Sequence, residues 1–153
     1  MSEEQNKVIV KKFIEEMWNE RKLDLADELF ATNCITHQLR SAQGDSGMPR
    51  SADSLRSEAS AWLSGFPDLK FNLEQMIAAD DRVVTCCMMR GTHTGLWMGL
   101  SPTGKQINVP IITIHRIAGS KIVEDWVLVG SLALFQQLGL VPETEAILAR
   151  GKS

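Results

Sequence analysis

Apolar residues in the first part of the chain recur at helical spacing. Ser2 and Gln5 form the pattern of a capping box, and the apolar stripe after them predicts a helix over about residues 3–20. Asp24 can cap a second, short helix that runs through Leu25 and Leu29 to Phe30. The chain therefore begins with helices whose apolar stripes need a surface to cover.

A third helix follows after a segment without periodicity. Cys34 to His37 is typical of a short extended piece, and residues 41–50 contain two glycines and a proline, which predicts a mobile loop. Ser51 then opens a helix with one apolar stripe, and Gly65 ends it just before a proline. Loops of this kind often act as lids over a binding site.

The period then changes to alternation, which indicates β-strands. The sequence predicts two antiparallel hairpins and a final helix that Gly139 ends. The predicted strands are Phe71–Ile77 and Val83–Thr92, joined at Asp80–Arg82, and Ile107–Ile117 and Ile122–Val129, joined at Ala118–Ser120. Helices followed by hairpins indicate an α+β domain, with the helices on one face of a curved antiparallel sheet.

Composition limits the classes of partner. The chain has 153 residues, the size of one domain, and its net charge of −3 offers no basic field for nucleic acid or anionic lipid. Its three cysteines form no evident pair, and its three histidines have no metal-ligand spacing, so we expect reduced thiols and no metal. The acidic N-terminus and the lack of a long apolar run predict a cytoplasmic protein without a membrane span.

Several short segments resemble one known family. They are Trp18-Asn19, Phe66-Pro67-Asp68-Leu69, Gly91-Thr92-His93-Thr94-Gly95, Pro102-Thr103-Gly104-Lys105, Lys121-Ile122-Val123-Glu124-Asp125-Trp126 and Gln136-Gln137-Leu138-Gly139. Together they resemble the SnoaL-like polyketide cyclases of the NTF2-like superfamily. The resemblance covers nearly the whole chain, except residues 41–50, and implies a cone-shaped α+β barrel with N-terminal helices that enclose a cavity.

The same resemblance implies a chemistry and a departure from it. Family members close a ring in a polyketide methyl ester by an intramolecular aldol reaction that needs no cofactor, with an aspartate as base. That aspartate lies four residues after the tryptophan, where this chain has Gly130. A general base contributes about 10²–10⁴ in rate, so the family mechanism does not carry over unchanged. Gly130 either marks a close backbone approach or enlarges the cavity.

The two-residue period of a strand assigns faces to the last strand. Glu124 and Trp126 share a face with Gly130, the family's cavity position, so we expect both to point into the cavity, provided that no bulge breaks the alternation. Asp125 then belongs to the opposite face. Apolar residues that share that opposite face predict an outer patch through which two copies form a homodimer, as in relatives. They are Val109, Ile111, Val123, Val127 and Val129.

His37, Glu124 and Arg116 are the candidate catalytic residues. The resemblance places His37 at the mouth of the cavity, and the histidine pKa near 6.5 suits proton transfer, although His37 can equally be a partly exposed turn residue. Arg116 shares its face with isoleucines, so it either pairs with Glu124 or stabilises enolate charge on a ligand. His115, on the other face, is expected at the surface or in an interface.

Candidate ligand-contacting residues are mostly aromatic. Trp18, Trp62 and Trp126 either fill the core or line a site for a flat hydrophobic ligand, and Gly130 would widen it. His93 either fixes its own loop or contacts the ligand.

Two functions follow from these residues. The first is cofactor-independent proton abstraction, with aldol-type cyclisation or isomerisation of a polyketide-like hydrophobic carbonyl compound. The alternative is a non-catalytic protein that binds a hydrophobic small molecule in the same cavity, which the glycine at position 130 favours.

Overall fold

The computed structural model describes residues 2–39 and 47–152. These form a mixed α+β fold of six strands with helices before, between and after them. The helices are α1 (Glu3–Lys12), α2 (Ala26–Leu29), α3 (Ala52–Gly65), α4 (Ser131–Gln137) and α5 (Thr144–Arg150). The strands are β1 (Phe30–Gln38), β2 (Met48–Arg50), β3 (Lys70–Ala79), β4 (Arg82–Thr92), β5 (Gln106–Ala118) and β6 (Lys121–Val129).

The N-terminal helix follows the prediction at its start and departs from it in the middle. Ser2 and Gln5 form both hydrogen bonds of a capping box at the start of α1. From Phe13 to Asn19 the helix continues as a wider π-helix, which the sequence pattern did not predict. This segment carries Phe13 and Trp18, two aromatic residues that line the interior.

The six strands form one curved, unclosed sheet in the order β2-β1-β6-β5-β4-β3. Both predicted hairpins are confirmed, since β3 pairs antiparallel with β4 and β5 pairs antiparallel with β6. Strand β1 pairs with β6 in parallel, a contact between distant parts of the chain, and β2 lies antiparallel to β1 at one edge. The α+β prediction is confirmed, with one parallel pair in an otherwise antiparallel sheet.

Two local predictions need correction, and one helix was not predicted. Residues 40–46 of the predicted mobile loop lie outside the described part of the chain, and Met48–Arg50 forms β2 instead of loop. The second helix is a 3₁₀ turn at Leu23–Leu25 followed by α2, and Phe30 already begins β1. Helix α5 was not predicted.

In the described ranges 2–39 and 47–152, no helix has the length and apolar character needed to cross a membrane.

A β-bulge at Val123 interrupts the alternation of side chains near the start of β6. Arg116 pairs with Glu124 and Ile117 pairs with Ile122, so Val123 is the extra residue between two pairs. Ile122 and Asp125, three positions apart, are therefore both buried, whereas strict alternation would place them on opposite faces. From Glu124 to Val129 the register with β5 is regular, so the bulge does not account for the wrong face assignment there. Asp125, Val127 and Val129 line the interior, and the premise that position 130 marks the cavity face was wrong.

Candidate functional site

The predicted cavity is present between the concave face of the sheet and the helices. It offers about 80 Å³ to the centres of water-sized molecules, enough for more than one water. Its wall is mostly apolar and aromatic, with a few polar groups that converge at one end. The polar lining residues are Gln38, Arg50, Glu58, Thr85, Thr113, His115 and Asp125.

Asp125 is the centre of the polar end. Its side chain is 1% exposed, and Arg50 donates from Nη1 to Oδ2 at 3.0 Å. Thr36 donates from its hydroxyl to Oδ1 at 2.5 Å, and Gln38 in turn donates to that hydroxyl at 2.9 Å. Each carboxylate oxygen has two lone pairs, so the bonds to Arg50 and Thr36 leave lone pairs of Asp125 available to a ligand.

The environment of Asp125 makes it a stronger base than an ordinary aspartate. Burial raises its pKa above the usual value, although the Arg50 guanidinium and the Thr36 hydrogen bond oppose that rise. Arg50 also donates from Nη2 to Glu58 at 2.9 Å, so it is shared by two carboxylates. The result is a carboxylate that is held in place while its basicity is increased, as general-base catalysis requires.

His115 lies beside Asp125 and is not at the surface as predicted. The two residues are direct cross-strand partners on β5 and β6, and His115 is 2% exposed with its ring edge-on to Phe13 at 5.8 Å. Burial, together with the nearby Arg50 charge, lowers the pKa of His115 to about 3. Its Nδ1 is buried without a hydrogen-bond partner among the described residues. His115 is therefore a neutral imidazole at every physiological pH.

Cys87 contributes no second base. It lines the cavity from β4, and burial raises the pKa of its thiol to about 11. The thiol form is a weak nucleophile and a weak donor, so Cys87 acts here as a small apolar group. The candidate bases in the cavity lining are therefore the carboxylates, and of these Asp125 is the buried one.

A wider vestibule of about 350 Å³ adjoins the inner cavity. Gln38, Arg50, Glu58 and Trp62 line both spaces, so they mark the boundary between them. The Arg50–Glu58 ion pair lies at this boundary, with the Glu58 side chain 40% exposed and that of Arg50 8% exposed. A ligand that enters from the vestibule therefore passes the ion pair and the Trp62 ring before it reaches Asp125.

The three predicted catalytic residues do lie together, but on the outer face of the sheet. His37 Nε2 is 2.7 Å from Glu124 Oε2, and Arg116 donates from Nε to Glu124 Oε1 at 3.0 Å. Arg116 thus makes the structural pairing that was one of its two alternatives. The hydrogen bond with His37 is the main cause that lowers the pKa of Glu124, which is the opposite of what a base needs. The prediction that this group faces the cavity is wrong, because Asp125 and Val127, which alternate with Glu124 in regular register, line the cavity, so Glu124 points outward.

Several residues of the predicted outer patch lie inside the protein, and one of the aromatic residues predicted to contact a ligand lies outside. Ile111, Val127 and Val129 line the cavity, and Val109 is fully buried, so the outer patch predicted from them is wrong. Trp126 lies outside and stacks on His37 with ring centroids 4.9 Å apart. Trp18 and Trp62 line the cavity, and their contact with a ligand stays a prediction.

His93 holds its own loop. It is fully buried, accepts from the Thr103 backbone N–H at Nδ1 over 3.1 Å, and stacks on Phe66. The neighbouring Gly95 lies so close to the carbonyl oxygen of Ser64 that a Cβ there would overlap it. Of the two alternatives for His93, the contacts match the structural one, and it is absent from the lining of the inner cavity.

Gly130 packs closely against Pro110. A Cβ built on Gly130 would lie 3.0 Å from Cδ and 3.1 Å from Cγ of the Pro110 ring. These distances are shorter than ordinary van der Waals contacts, and the ring is rigid. Of the two alternatives for Gly130, the geometry matches the close approach of backbone segments.

Replacing Gly130 by alanine should therefore destabilise the protein. We expect Gly130→Ala to lower the free energy of unfolding by about 1–3 kcal/mol, as overpacking does. In a Pro110→Ala background the same change should cost less than half as much, because the ring atoms are gone. Urea unfolding of the four proteins measures both values, and an equal cost in the two backgrounds would contradict the assignment.

Asp125, His115, Arg50 and Thr36 are residues of the candidate site that sequence reasoning missed. Asp125 precedes Val127 by two residues and Val129 by four, so the three share one face of the strand. The two valines could have indicated that this face is buried. No comparable signal exists for Arg50, which lies at the end of a polar segment. Among residues 2–39 and 47–152, no three histidine, cysteine or acidic side chains are arranged to hold a metal ion.

Comparison with known proteins gives consistent matches. A family model for SnoaL-like polyketide cyclase matches residues 8–138. A proposed SnoaL-like polyketide cyclase from Jannaschia sp. superposes with a TM-score of 0.79 at 20% identity, over 92% of this chain and 95% of the other.

Two further solved structures match comparably well. IdmH from Streptomyces antibioticus, a proposed polyketide cyclase, gives a TM-score of 0.75 at 26% identity, over 88% of this chain and 99% of IdmH. AclR from Streptomyces galilaeus, a proposed hydroxylase, gives a TM-score of 0.78 at 23% identity, over 92% of this chain and 100% of AclR. A search of curated proteins found no significant match.

Proposed function

This chain belongs to the SnoaL-like polyketide cyclase family, and from that premise we propose that it catalyses proton abstraction from a hydrophobic carbonyl compound in the inner cavity, with Asp125 as the base. The observation that carries the proposal is the buried Asp125 carboxylate, held by Arg50 and Thr36 at the end of an apolar cavity. Asp125 supplies a carboxylate, whereas the position of the family's aspartate is Gly130 in this chain.

The proposed step is the one that precedes aldol closure. Asp125 takes a proton from a carbon flanked by two carbonyl groups, and the C–H electron pair moves into an enolate. Arg50 has N–H donors beyond those that bond to Asp125 and Glu58, so it can stabilise the enolate oxygen. The enolate carbon then attacks a second carbonyl group, whose oxygen receives the proton. Cyclisation or isomerisation follows according to which carbon is attacked or reprotonated.

The charges around the cavity favour a neutral ligand. Asp125 and Glu58 carry two negative charges, Arg50 carries one positive charge, and His115 is neutral. An anionic ligand would meet a net negative charge in a poorly solvated space, which is unfavourable. An ester or a ketone fits better than a carboxylic acid.

Deuterium exchange of a simple β-keto ester tests this function. Methyl benzoylacetate is neutral and aromatic, and its central carbon lies between two carbonyl groups. We expect the protein to accelerate incorporation of deuterium from D₂O at that carbon, as followed by NMR, above the buffer rate. Saturable binding without acceleration would favour the alternative, a non-catalytic binding protein.

We also propose that two copies form a homodimer through the outer face of the sheet. This face carries apolar side chains around the His37–Glu124–Arg116 group. Ile112 and Leu128, direct partners on β5 and β6, are 44% and 47% exposed. Val84, Cys86, Met88, Ile114 and Trp126 extend the same face. A contiguous apolar surface of this kind is unusual on a monomer.

Charged substitutions on this face should separate the copies. Light scattering of the wild type should give twice the 17.0 kDa of the chain. Ile112→Glu and Leu128→Glu should each give the monomer mass, because a buried, unpaired carboxylate is costly. Leu148→Glu, on the exposed α5 where Leu148 is 60% exposed, is the matched control and should stay dimeric. A wild type that is monomeric at micromolar concentration would refute the dimer.

A further inference from the structure

An apolar groove of about 270 Å³ adjoins the inner cavity and shares Trp62 and Val129 with its wall. Helix α4 forms one wall, and the turn that contains Trp97 forms the other. Its principal lining residues are Trp62, Trp97, Met98, Leu134, Phe135 and Leu140. Neither the predicted site nor the Asp125 site includes this groove.

The groove offers almost no polar group to a ligand. No charged side chain lines it, and Ser131, its one hydroxyl, donates its hydrogen bond to the carbonyl oxygen of Val129 at 3.3 Å. Several lining side chains remain partly open to solvent, with Phe135 38%, Leu140 46% and Met98 79% exposed. An occupant that gains from this surface must therefore be an alkyl or aryl group without charge.

The groove is continuous with the site through shared walls. Trp62, Trp97 and Met98 line both the vestibule and the groove, and Trp62 also lines the inner cavity. The rings of Trp62 and Trp97 contact each other, with centroids 5.0 Å apart. One ligand can thus occupy the inner cavity and extend around Trp62 into the groove.

The wall made by the Trp97 turn is preformed. Trp97 and Leu100 exchange two backbone hydrogen bonds, of 3.1 and 2.8 Å, across Met98 and Gly99. Met98 has a φ of 47°, in the left-handed region that this tight turn requires. The turn fixes Trp97, which is 6% exposed, and presents Met98 at the edge of the groove.

We propose that this groove is a second subsite, which binds an uncharged alkyl or aryl extension of the carbonyl substrate whose reacting end lies at Asp125. The inference rests on the proposed function, because the inner cavity must hold the carbonyl end. It assigns the substrate to a class: neutral carbonyl compounds with an apolar chain or ring system at the far end. Phe135, Leu140 and Met98 determine the preference for that extension.

A series of ligands that differ only in their apolar tail tests the subsite. The probes are methyl benzoylacetate and its 4-butyl and 4-hexyl derivatives, whose affinities are measured by titration calorimetry. Each fully buried methylene raises affinity about fourfold, and burial in a groove is partial, so we expect the butyl group to tighten binding about tenfold in the wild type. Phe135→Ser and Leu140→Ser should each remove most of this gain and leave the affinity for the unsubstituted ester unchanged.

Leu132→Ser is the matched control. Leu132 lies on the same helix, is 53% exposed and does not line the groove, so its substitution should preserve the gain from the tail. Met98→Ser provides a further groove variant at an exposed turn, should Phe135→Ser or Leu140→Ser fail to fold by circular dichroism.

Each outcome bears on one of the two proposals. Failure of the unsubstituted ester to bind the wild type contradicts the proposed function and, with it, the subsite. Binding of that ester with no gain from the tail, or with the same gain in Phe135→Ser, overturns the subsite alone. A second copy that covers the groove would also overturn it, and Phe135→Ser would then lower the mass seen by light scattering.

Discussion

Asp125→Asn should reduce deuterium exchange of methyl benzoylacetate by about 10²–10⁴, the typical contribution of a general base. The amide retains the shape of the carboxylate, and its oxygen can still accept from Arg50 while its NH2 group faces the Thr36 hydroxyl, but it cannot take a proton. Loss of one partner of a buried ion pair can cost about 3–5 kcal/mol of stability, so circular dichroism must first show that the variant is folded. The rate is then compared at saturating ester, so that weaker binding does not count as slower chemistry.

Glu124→Gln should have little effect on the exchange rate, although Glu124 comes immediately before Asp125 in β6. Because its side chain bonds with His37 and Arg116 on the outer face, its loss should leave the exchange rate within a factor of two. The two variants therefore decide which face of the strand carries the chemistry. Full activity in Asp125→Asn, or a large loss in Glu124→Gln, would reverse the assignment.

Acid should lower the free energy of unfolding through His115. Its pKa is about 3 in the folded protein against 6.5 unfolded, so between these values the unfolded chain binds more protons. The contribution of His115 to stability is therefore complete above pH 6.5 and is lost as the pH falls towards 3. From pH 7 to pH 4 the loss should be about 3 kcal/mol.

Comparison with His115→Leu isolates this effect. Leucine is apolar and does not titrate, so the difference in unfolding free energy between wild type and variant should fall by about 3 kcal/mol from pH 7 to pH 4. Asp125 contributes with the opposite sign, since its raised pKa favours the folded state at low pH, but it is present in both proteins. Urea unfolding at both pH values measures the difference, and a pH-independent difference would mean that His115 is not a buried neutral imidazole.

The sequence was most informative where local physics determines the structure. The capping box at Ser2, the helix that Ser51 begins and both hairpins follow from patterns within a few residues of each other, and all are present. The π-helical segment Phe13–Asn19 has the same apolar spacing as an ordinary helix over so short a length, so the pattern could not distinguish them.

The prediction of the site depended on which face of β6 lines the cavity. Glu124 and Asp125 are adjacent acids in a strand with apolar residues on both faces, so composition could not identify the inner one. The prediction took position 130 as the marker of the cavity face, but β6 ends at Val129 and Gly130 packs against Pro110. His115 was assigned to the surface by the same alternation and was therefore placed on the wrong side together with Asp125. Arg50 reaches the site only through the pairing of β2 with β1, which no local pattern indicates.

The parallel pairing of β1 with β6 determines when the proposed site forms during folding. Thr36 comes from β1, Arg50 from the neighbouring β2 and Asp125 from β6, so the three meet only when the early and late thirds of the chain join. The hairpins between them can form from short-range contacts, whereas this seam must close over about ninety residues and is entropically slow. A nascent chain that still lacks β6 therefore lacks Asp125, and we expect the proposed site to be complete only after β6 has paired with β1.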